Sequence, residues 1–236
     1  MLKRDAGSVR TYGSIFLILL VSIAGAVLMI GIDTPLVAAQ VNVQKDVCVV
    51  SRPGEPLLPA PDIPGSMPGR GKLLIASQNM RDPRFRETVV LVVDYGMGGA
   101  AGLIINRPLD VRLAELIPDL PMIGKRKDKV FYGGPVEGHK MFLLIRSTKT
   151  VEESSKVLAG VQVSTSRTVL ERMIAGKKGI PFRAYAGYAG WASGQLDAEI
   201  ARGDWRVMKA EARMIFEQDP AKLWPELFRL SSAIQV

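Results

Sequence analysis

Cysteine and histidine, which supply most metal ligands and many catalytic groups, each occur once in this chain of 236 residues. Cys48 cannot form an internal disulfide, and one cysteine with one histidine cannot build a structural zinc site. No group of carboxylates has the spacing of a calcium-binding loop. A serine nucleophile needs a base within reach, and pairing Ser193 with His139, in a predicted turn at residues 138–140, would depend on chance proximity. The sequence therefore predicts no catalytic residues, no metal and no cofactor.

Charge is absent from residues 11–32, which follow three basic side chains within the first ten residues. About 20 apolar residues are enough to span the hydrocarbon of a bilayer, and preceding basic residues favour a cytoplasmic N-terminus and an exported C-terminal domain. Small residues at 37–39 also suit cleavage of a signal peptide. We therefore predict a signal anchor or signal peptide over residues 1–39, with membrane contact through residues 11–32.

This topology predicts a domain outside the cytoplasm, either anchored to the membrane or secreted after cleavage near Ala39. A start of translation at Met67 would instead leave the domain in the cytoplasm. Residues 40–70 are rich in proline, which interrupts helices and sheets, so they are predicted to form a semi-rigid linker. Residues 71–236 have a length typical of one domain.

The basic residues give the chain a formal net charge of +8 at pH 7. Such a charge favours anionic partners, but the basic residues are spread along the chain. Their one dense cluster, residues 125–129, is also typical of a solvated loop. We therefore do not expect a nucleic-acid partner if the domain is exported.

Short apolar runs alternate with helical patterns after residue 71. Predicted strands cover residues 73–76, 88–93, 103–105, 130–132, 141–145, 161–163 and 182–188. Predicted helices cover residues 111–117, 166–174 with Ser166 as cap, Ser193 to Arg202 with Ser193 as cap, and a last helix begun by Asp219 and Pro220. Because the two types do not alternate strictly, the pattern predicts an α+β fold rather than a doubly wound sheet.

Glycines at residues 96–99 match the dinucleotide pattern G-x-G-x-x-A directly after a predicted strand. That pattern binds pyrophosphate only when a helix follows, because the helix N-terminus supplies the amides. Here an apolar run ending in Pro108 follows. The glycines therefore predict a hairpin turn.

Polar residues at the ends of predicted strands form candidate binding loops. In residues 82–86, Asp82, Arg84 and Arg86 could hold an anion, or Asp82 could cap a turn begun by Pro83 while Phe85 is buried. Asn106 and Arg107 in residues 106–108 invite the same two interpretations. The speculative ligand-binding set is Asp82, Arg84, Asn106, Arg107, Gly133 and Gly134.

The segment Gly187 to Leu196 contains two aromatic residues among three glycines. We interpret Tyr188, Trp191 and Gln195 as structural anchors, with Trp191 in the core rather than on a ligand platform. Ser193 lies one place too late for the G-x-S-x-G motif of a nucleophile elbow.

Five segments in this order resemble the YqgE/AlgH family: residues 71–76, 82–85, 102–108, 133–136 and 187–196. The resemblance covers residues 71–228. It implies a compact α+β domain with a mixed, strongly bent, partly barrel-like sheet and flanking helices. It also implies the family's label of transcriptional regulator, without an established reaction. This chain departs from the family at Gln78-Asn79, at Asp94-Tyr95, and in its export-type N-terminus.

These observations predict a non-catalytic binding or regulatory domain tethered to the membrane. Its partner would be an unknown protein or a small anionic ligand. The alternative is an enzyme that acts on a small anionic substrate through loops 82–86, 106–108 and 133–135.

Overall fold

The computed structural model describes residues 67–120, 123–176 and 179–233. The predicted membrane segment 11–32 and most of the predicted linker lie outside these residues. Within the described residues, no helix is both long enough and apolar enough to cross a membrane.

Strands and helices follow one another without strict alternation. The strands are β1 (Lys72–Ala76), β2 (Val89–Gly96), β3 (Gly99–Ile104), β4 (Pro108–Arg112), β5 (Lys129–Tyr132), β6 (Val136–Arg146), β7 (Ser155–Leu158), β8 (Val161–Ser164), β9 (Phe182–Trp191) and β10 (Trp205–Lys209). The helices are α1 (Leu113–Leu116), α2 (Arg167–Ala175), α3 (Gln195–Ala201), α4 (Ala212–Phe216) and α5 (Pro220–Ala233). Short 3₁₀ turns lie at Pro83–Phe85 and Ile123–Lys125.

The strands form one strongly curled, half-barrel sheet in the order β10-β1-β2-β3-β9-β6-β8-β7. Strand β5 lies off this path, where it pairs with β4 and runs parallel to β9, while the other described pairs are antiparallel. Strand β9 therefore has three neighbours, β3, β6 and β5. The predicted α+β class and the bent sheet are confirmed.

Successive side chains of a strand point to opposite faces of the sheet, so the buried residues form separate clusters on its two faces. In β1, Leu73 and Ile75 pack in a cluster with residues of α4 and α5, whereas Leu74 and Ala76 pack on the opposite side with Trp191 and α3. A separate cluster lies beneath α1 and α2. Strand β2 is buried on both faces from Val89 to Val93, as its unbroken run of apolar residues predicts.

The predicted helix over residues 111–117 is wrong at its beginning. Val111 and Arg112 belong to β4, where Arg112 pairs with Lys129, and the helix begins only at Leu113. Pro108 stands at the start of β4, a position that proline tolerates in a strand. The backbone pairing with β5 therefore outweighs the helical pattern.

The predicted turn at residues 138–140 is also wrong, because these residues lie within β6. The pairing of β6 with β9 shifts register between Val136 and Met141, which absorbs the glycine without a chain reversal. Three further strands, β4, β7 and β10, are absent from the sequence prediction. The glycine run at residues 96–99 does form a hairpin, in which Gly96 pairs with Gly99.

Candidate functional site

Two of the predicted binding loops meet at one end of the sheet. Asp82 caps the short turn at Pro83–Phe85 by accepting a hydrogen bond from the Arg84 amide at 2.9 Å. The Arg84 guanidinium forms an ion pair with the same carboxylate, with an N–O distance of 2.6 Å. This side-chain hydrogen bond lowers the pKa of Asp82 below its ordinary value, and partial burial opposes the shift.

Arg107 and Asn106, in the segment between β3 and β4, hold this loop in place. The Arg107 guanidinium donates to the backbone carbonyls of Arg84 and Arg86. The Asn106 side chain donates to the Glu87 carbonyl and accepts from the Val89 amide, both at 2.9 Å. Glu87 has a φ of 54°, which is uncommon outside glycine and asparagine. Asp82 and Arg84 thus pair within their own loop, and Asn106 and Arg107 bond to the backbone of that loop.

Gly133 and Gly134 lie next to these loops but face the backbone of β9. The Gly133 carbonyl accepts from the Ile104 amide and its amide donates to the Ala186 carbonyl. A Cβ on Gly134 would overlap the backbone of Tyr188 and Ala189. Both glycines therefore allow close approach of two chain segments.

A small cleft of about 240 Å³ lies between the loop and the start of α5. We call this the loop cleft. Its walls include Asn106, Arg107, Trp224 and Pro225. Because the guanidinium and amide of its polar wall already bond to backbone groups, a ligand there would compete with the hydrogen bonds that hold the loop.

The segment Gly187 to Leu196 organises an aromatic cluster beside α3. Trp191 is 6% exposed, and its ring stacks on Phe85 and meets Trp205 edge-on. The indole N–H groups of Trp191 and Trp205 both donate to the same oxygen, Oε2 of Glu199, at 2.8 Å. The sequence prediction omitted Glu199 and Trp205. The available signal in the sequence was a glutamate on the predicted helix with one tryptophan before that helix and another after it.

Ser193 does not cap α3, contrary to the sequence prediction. The helix begins after Gly194, which has a φ of 72° and lies in the left-handed region. The Gln195 side chain instead accepts from the Ala192 amide at 3.1 Å and donates to Glu199 at 2.9 Å. Glycine can adopt the backbone angle that serine would resist, so the chain turns at 194 and the amide side chain closes the turn. Tyr188, the third predicted anchor, is half-buried beside Phe142.

A second concave site, absent from the sequence prediction, lies between α1, α2 and β6. We call it the aliphatic groove. Its volume is about 440 Å³, within the range of roughly 300–1,000 Å³ typical of small-molecule sites. The apolar lining consists of Leu116, Ile117, Met141, Leu143, Leu170 and Ala186. Leu143 and Leu170 are buried, whereas Leu116 is 48% exposed at the rim.

The polar rim of the aliphatic groove is basic. His139 and Lys140 of β6 and Arg167 at the start of α2 line it. Lys140 forms an ion pair with Glu137, and Arg167 uses Nε to pair with Glu171. No Asp or Glu is among the described lining residues. The groove combines an apolar interior with cationic groups at its edge.

The described residues contain no group of three or more His, Cys, Asp or Glu side chains able to hold a metal ion. The groove itself offers apolar burial in its interior and charge pairing at its rim.

The curled sheet and its flanking helices define a small α+β domain with a concave groove. A model of the AlgH-like family matches residues 73–233, and the chain belongs to this family. The predicted family resemblance is confirmed. A UPF0301 protein of Ralstonia nicotianae is 34% identical over 175 residues, 72% of this chain and 91% of that protein. A UPF0301 protein of Methylococcus capsulatus is 35% identical over 173 residues, 72% of this chain and 95% of that protein.

Solved structures similar to the domain include a solution structure and a crystal structure. The solution structure of AlgH from Pseudomonas aeruginosa is 32% identical, with a TM-score of 0.57, and the match covers 70% of this chain and 87% of that one. A crystal structure of a Corynebacterium diphtheriae protein is 23% identical with a TM-score of 0.59, which supports the fold alone. The names of these relatives assign no reaction.

Proposed function

We propose that this AlgH-like domain is a binding module whose ligand occupies the aliphatic groove. The observation that carries the proposal is a cleft of about 440 Å³ in which Leu116 is exposed and Ile117 and Met141 are partly exposed beside basic groups. Exposed apolar surface of this kind is characteristic of ligand and partner sites.

The predicted loop site is less suited to a ligand than the groove. The side chains of Arg107 and Asn106 already form hydrogen bonds with the backbone of residues 84–89. The groove can accept a ligand without breaking any of those bonds.

Binding of a neutral apolar fluorophore, N-phenyl-1-naphthylamine, to the fragment 67–236 tests the proposal. The fragment is suitable because the AlgH structure consists largely of this domain. We expect saturable binding that Ala186→Leu weakens about tenfold or more, because the larger side chain fills the groove. Ala198→Leu, at an exposed position on α3, is the matched control.

Leu116→Trp provides a second block at the exposed rim, should Ala186→Leu fail to fold. Circular dichroism and thermal unfolding report the folded state of each variant. Saturable binding that is unchanged in a folded blocking variant, or no saturable binding to the wild-type fragment, would overturn the proposal.

We further propose that residues 11–32 tether the module to the membrane and place it outside the cytoplasm. The support is the sequence alone: an uncharged apolar segment preceded by basic residues. Alkaline phosphatase fused after Ser66 should be active, since this enzyme needs export to fold. A stable but inactive fusion would place the domain on the cytoplasmic side. A nucleic-acid partner would then be tested by measuring how the affinity for a DNA duplex changes with salt concentration.

The catalytic alternative makes a separate prediction. Turnover of a small anion by purified protein, lost in a folded Arg107→Ala variant, would show that the loop cleft performs chemistry and would contradict a binding-only role.

A further inference from the structure

We infer that the aliphatic groove takes a single-chain amphiphile with a carboxylate at one end, the chemistry of a fatty acid. This inference rests on the proposed function, and it adds the chemical class of the ligand. Its two parts are an alkyl chain against the floor of the groove and an anionic end group at the basic rim.

The floor favours an alkyl chain because its side chains are aliphatic. Leu143, Leu170 and Met141 supply it, and none of the described lining residues is Phe, Tyr or Trp. Aliphatic walls stabilise a ligand in proportion to the apolar area buried, without the directional stacking that selects flat rings. Methionine also adapts its shape to irregular ligands.

The rim favours an anionic end group because its charged side chains are cationic. Arg167 at the start of α2 supplies this charge, and its carboxylate partner Glu171 lies outside the described lining. The ammonium of Lys140 lies 5.7 Å from the centroid of the Phe142 ring, on the face of β6 opposite Met141 and Leu143, so Lys140 lines the rim without directing its charge into the groove.

The existing ion pair of Arg167 leaves room for a ligand. Arg167 is 59% exposed, so its present pair with Glu171 contributes little to stability. Arg167 uses only Nε towards Glu171 within the described residues, and its planar guanidinium has further donors for a carboxylate.

A chain-length series tests both parts by isothermal titration calorimetry on the fragment 67–236. The ligands are hexanoate, octanoate and decanoate, each with the alcohol of equal chain length, below their micelle concentrations. We expect affinity to rise by up to about fourfold per added methylene, the equivalent of about 0.8 kcal/mol. Each carboxylate should bind about threefold to tenfold more tightly than its alcohol.

A matched pair of variants isolates the charge at the rim. Leu116→Glu introduces a carboxylate at an exposed position, and Leu116→Gln introduces the same shape without charge. Octanoate should bind about threefold to tenfold more weakly to Leu116→Glu than to Leu116→Gln, whereas octanol should bind both variants equally. Arg167→Ala should lower octanoate affinity by a similar factor, and Arg229→Ala on α5 should not.

The outcomes separate this inference from the proposed function. Equal affinity for carboxylates and alcohols, with the neutral fluorophore still bound in the groove, would overturn the carboxylate assignment and leave the binding module standing. Affinity independent of chain length would overturn the alkyl chain. Loss of fluorophore binding as well would overturn both proposals.

Discussion

Arg107 commits both terminal nitrogens to the carbonyls of Arg84 and Arg86. A lysine keeps the charge but cannot present two parallel donors. Arg107→Lys should therefore destabilise the domain by about 1–2 kcal/mol, on the scale of hydrogen bonds from charged groups. Urea unfolding of the fragment measures this loss. Arg86→Ala, which removes an exposed side chain and keeps the accepting carbonyl, should change stability by less than about 0.5 kcal/mol. Equal losses in the two variants would contradict this role.

Glu199 joins two tryptophans through one carboxylate oxygen. Glu199→Ala leaves two largely buried indole N–H groups without their partner and should cost about 2–4 kcal/mol. Trp191→Ala should cost about 3–5 kcal/mol, as for other buried aromatic residues. A cycle with Trp191→Phe should show coupling of roughly 1 kcal/mol between residues 191 and 199. Coupling near zero would mean that the shared oxygen does not connect the rings energetically.

Tyr185 is fully buried, and its hydroxyl has no hydrogen-bond partner among the described residues. Burial raises the pKa of Tyr185 far above its ordinary value, although the charge of Arg183 opposes the shift. A raised folded pKa means that the associated stability is complete below about pH 10 and is lost as pH rises through the folded value.

Tyr185→Phe removes the unpaired hydroxyl without removing the ring. We expect unchanged or slightly increased stability at pH 7, by up to about 1 kcal/mol, and a shallower loss of stability above pH 10. Thermal unfolding from pH 7 to 11 measures both. A loss of more than 1 kcal/mol at pH 7 would mean that the hydroxyl makes a favourable interaction.

At the scale of residues, the sequence could locate the polar loops but not their partners. Asp82 as a turn cap follows from the adjacent Pro83 and from local hydrogen bonding. Arg107 bonds to backbone carbonyls 21 and 23 positions earlier, which depends on how the segment between β3 and β4 lies against the loop. Spacing in the sequence does not contain that information.

The start of α3 illustrates the same limit for an element. Serine before a helix predicts a cap, but the cap depends on where the backbone turns. The backbone turns at Gly194, and the Gln195 side chain accepts the hydrogen bond from the Ala192 amide at the start of the helix. Ser193→Ala should therefore change stability by less than about 0.5 kcal/mol. Gln195→Ala should cost about 0.5–1.5 kcal/mol. Chemical denaturation compares the two, and a larger loss from Ser193→Ala would restore serine as the cap.

Gly134 lets the segment between β5 and β6 approach β9. It has a φ of 153°, and an added Cβ would overlap the backbone of Tyr188 and Ala189. Gly134→Ala should therefore cost more than about 3 kcal/mol or prevent folding. Gly138→Ala is the control, because no atom lies within 4 Å of a Cβ at that position. Soluble yield and unfolding midpoints distinguish them, and a well-folded Gly134→Ala variant of normal stability would contradict the close-approach role.

Elements with strong local signals were predictable. The sequence offers Ser166 as a cap for helix α2 and a glycine after its end, and in the structure Ser166 and Gly176 hold these two positions. Strand β10 lacks such a signal, since Trp205–Lys209 carries two basic residues beside apolar ones and becomes a strand by pairing with β1. Long-range pairing also turns Val111 and Arg112 from helix to strand.

For the whole molecule, the family motifs predicted the curled sheet but not the aliphatic groove. The groove is formed by Leu116 of α1, Lys140 of β6 and Leu170 of α2, which are distant in sequence and lack a shared motif. Each residue alone is typical of an ordinary helix or strand. Only their arrangement around one cleft gives them a joint role.

Mapping of ligand contacts by nuclear magnetic resonance tests the central claim most directly. Octanoate titrated into isotopically labelled fragment 67–236 should shift the backbone amides of Leu143, Leu170 and Ala186. The amides of Asn106 and Arg107 at the loop cleft should not move. Shifts concentrated at Asn106 and Arg107, with the groove unchanged, would contradict the account and return the binding site to the loops.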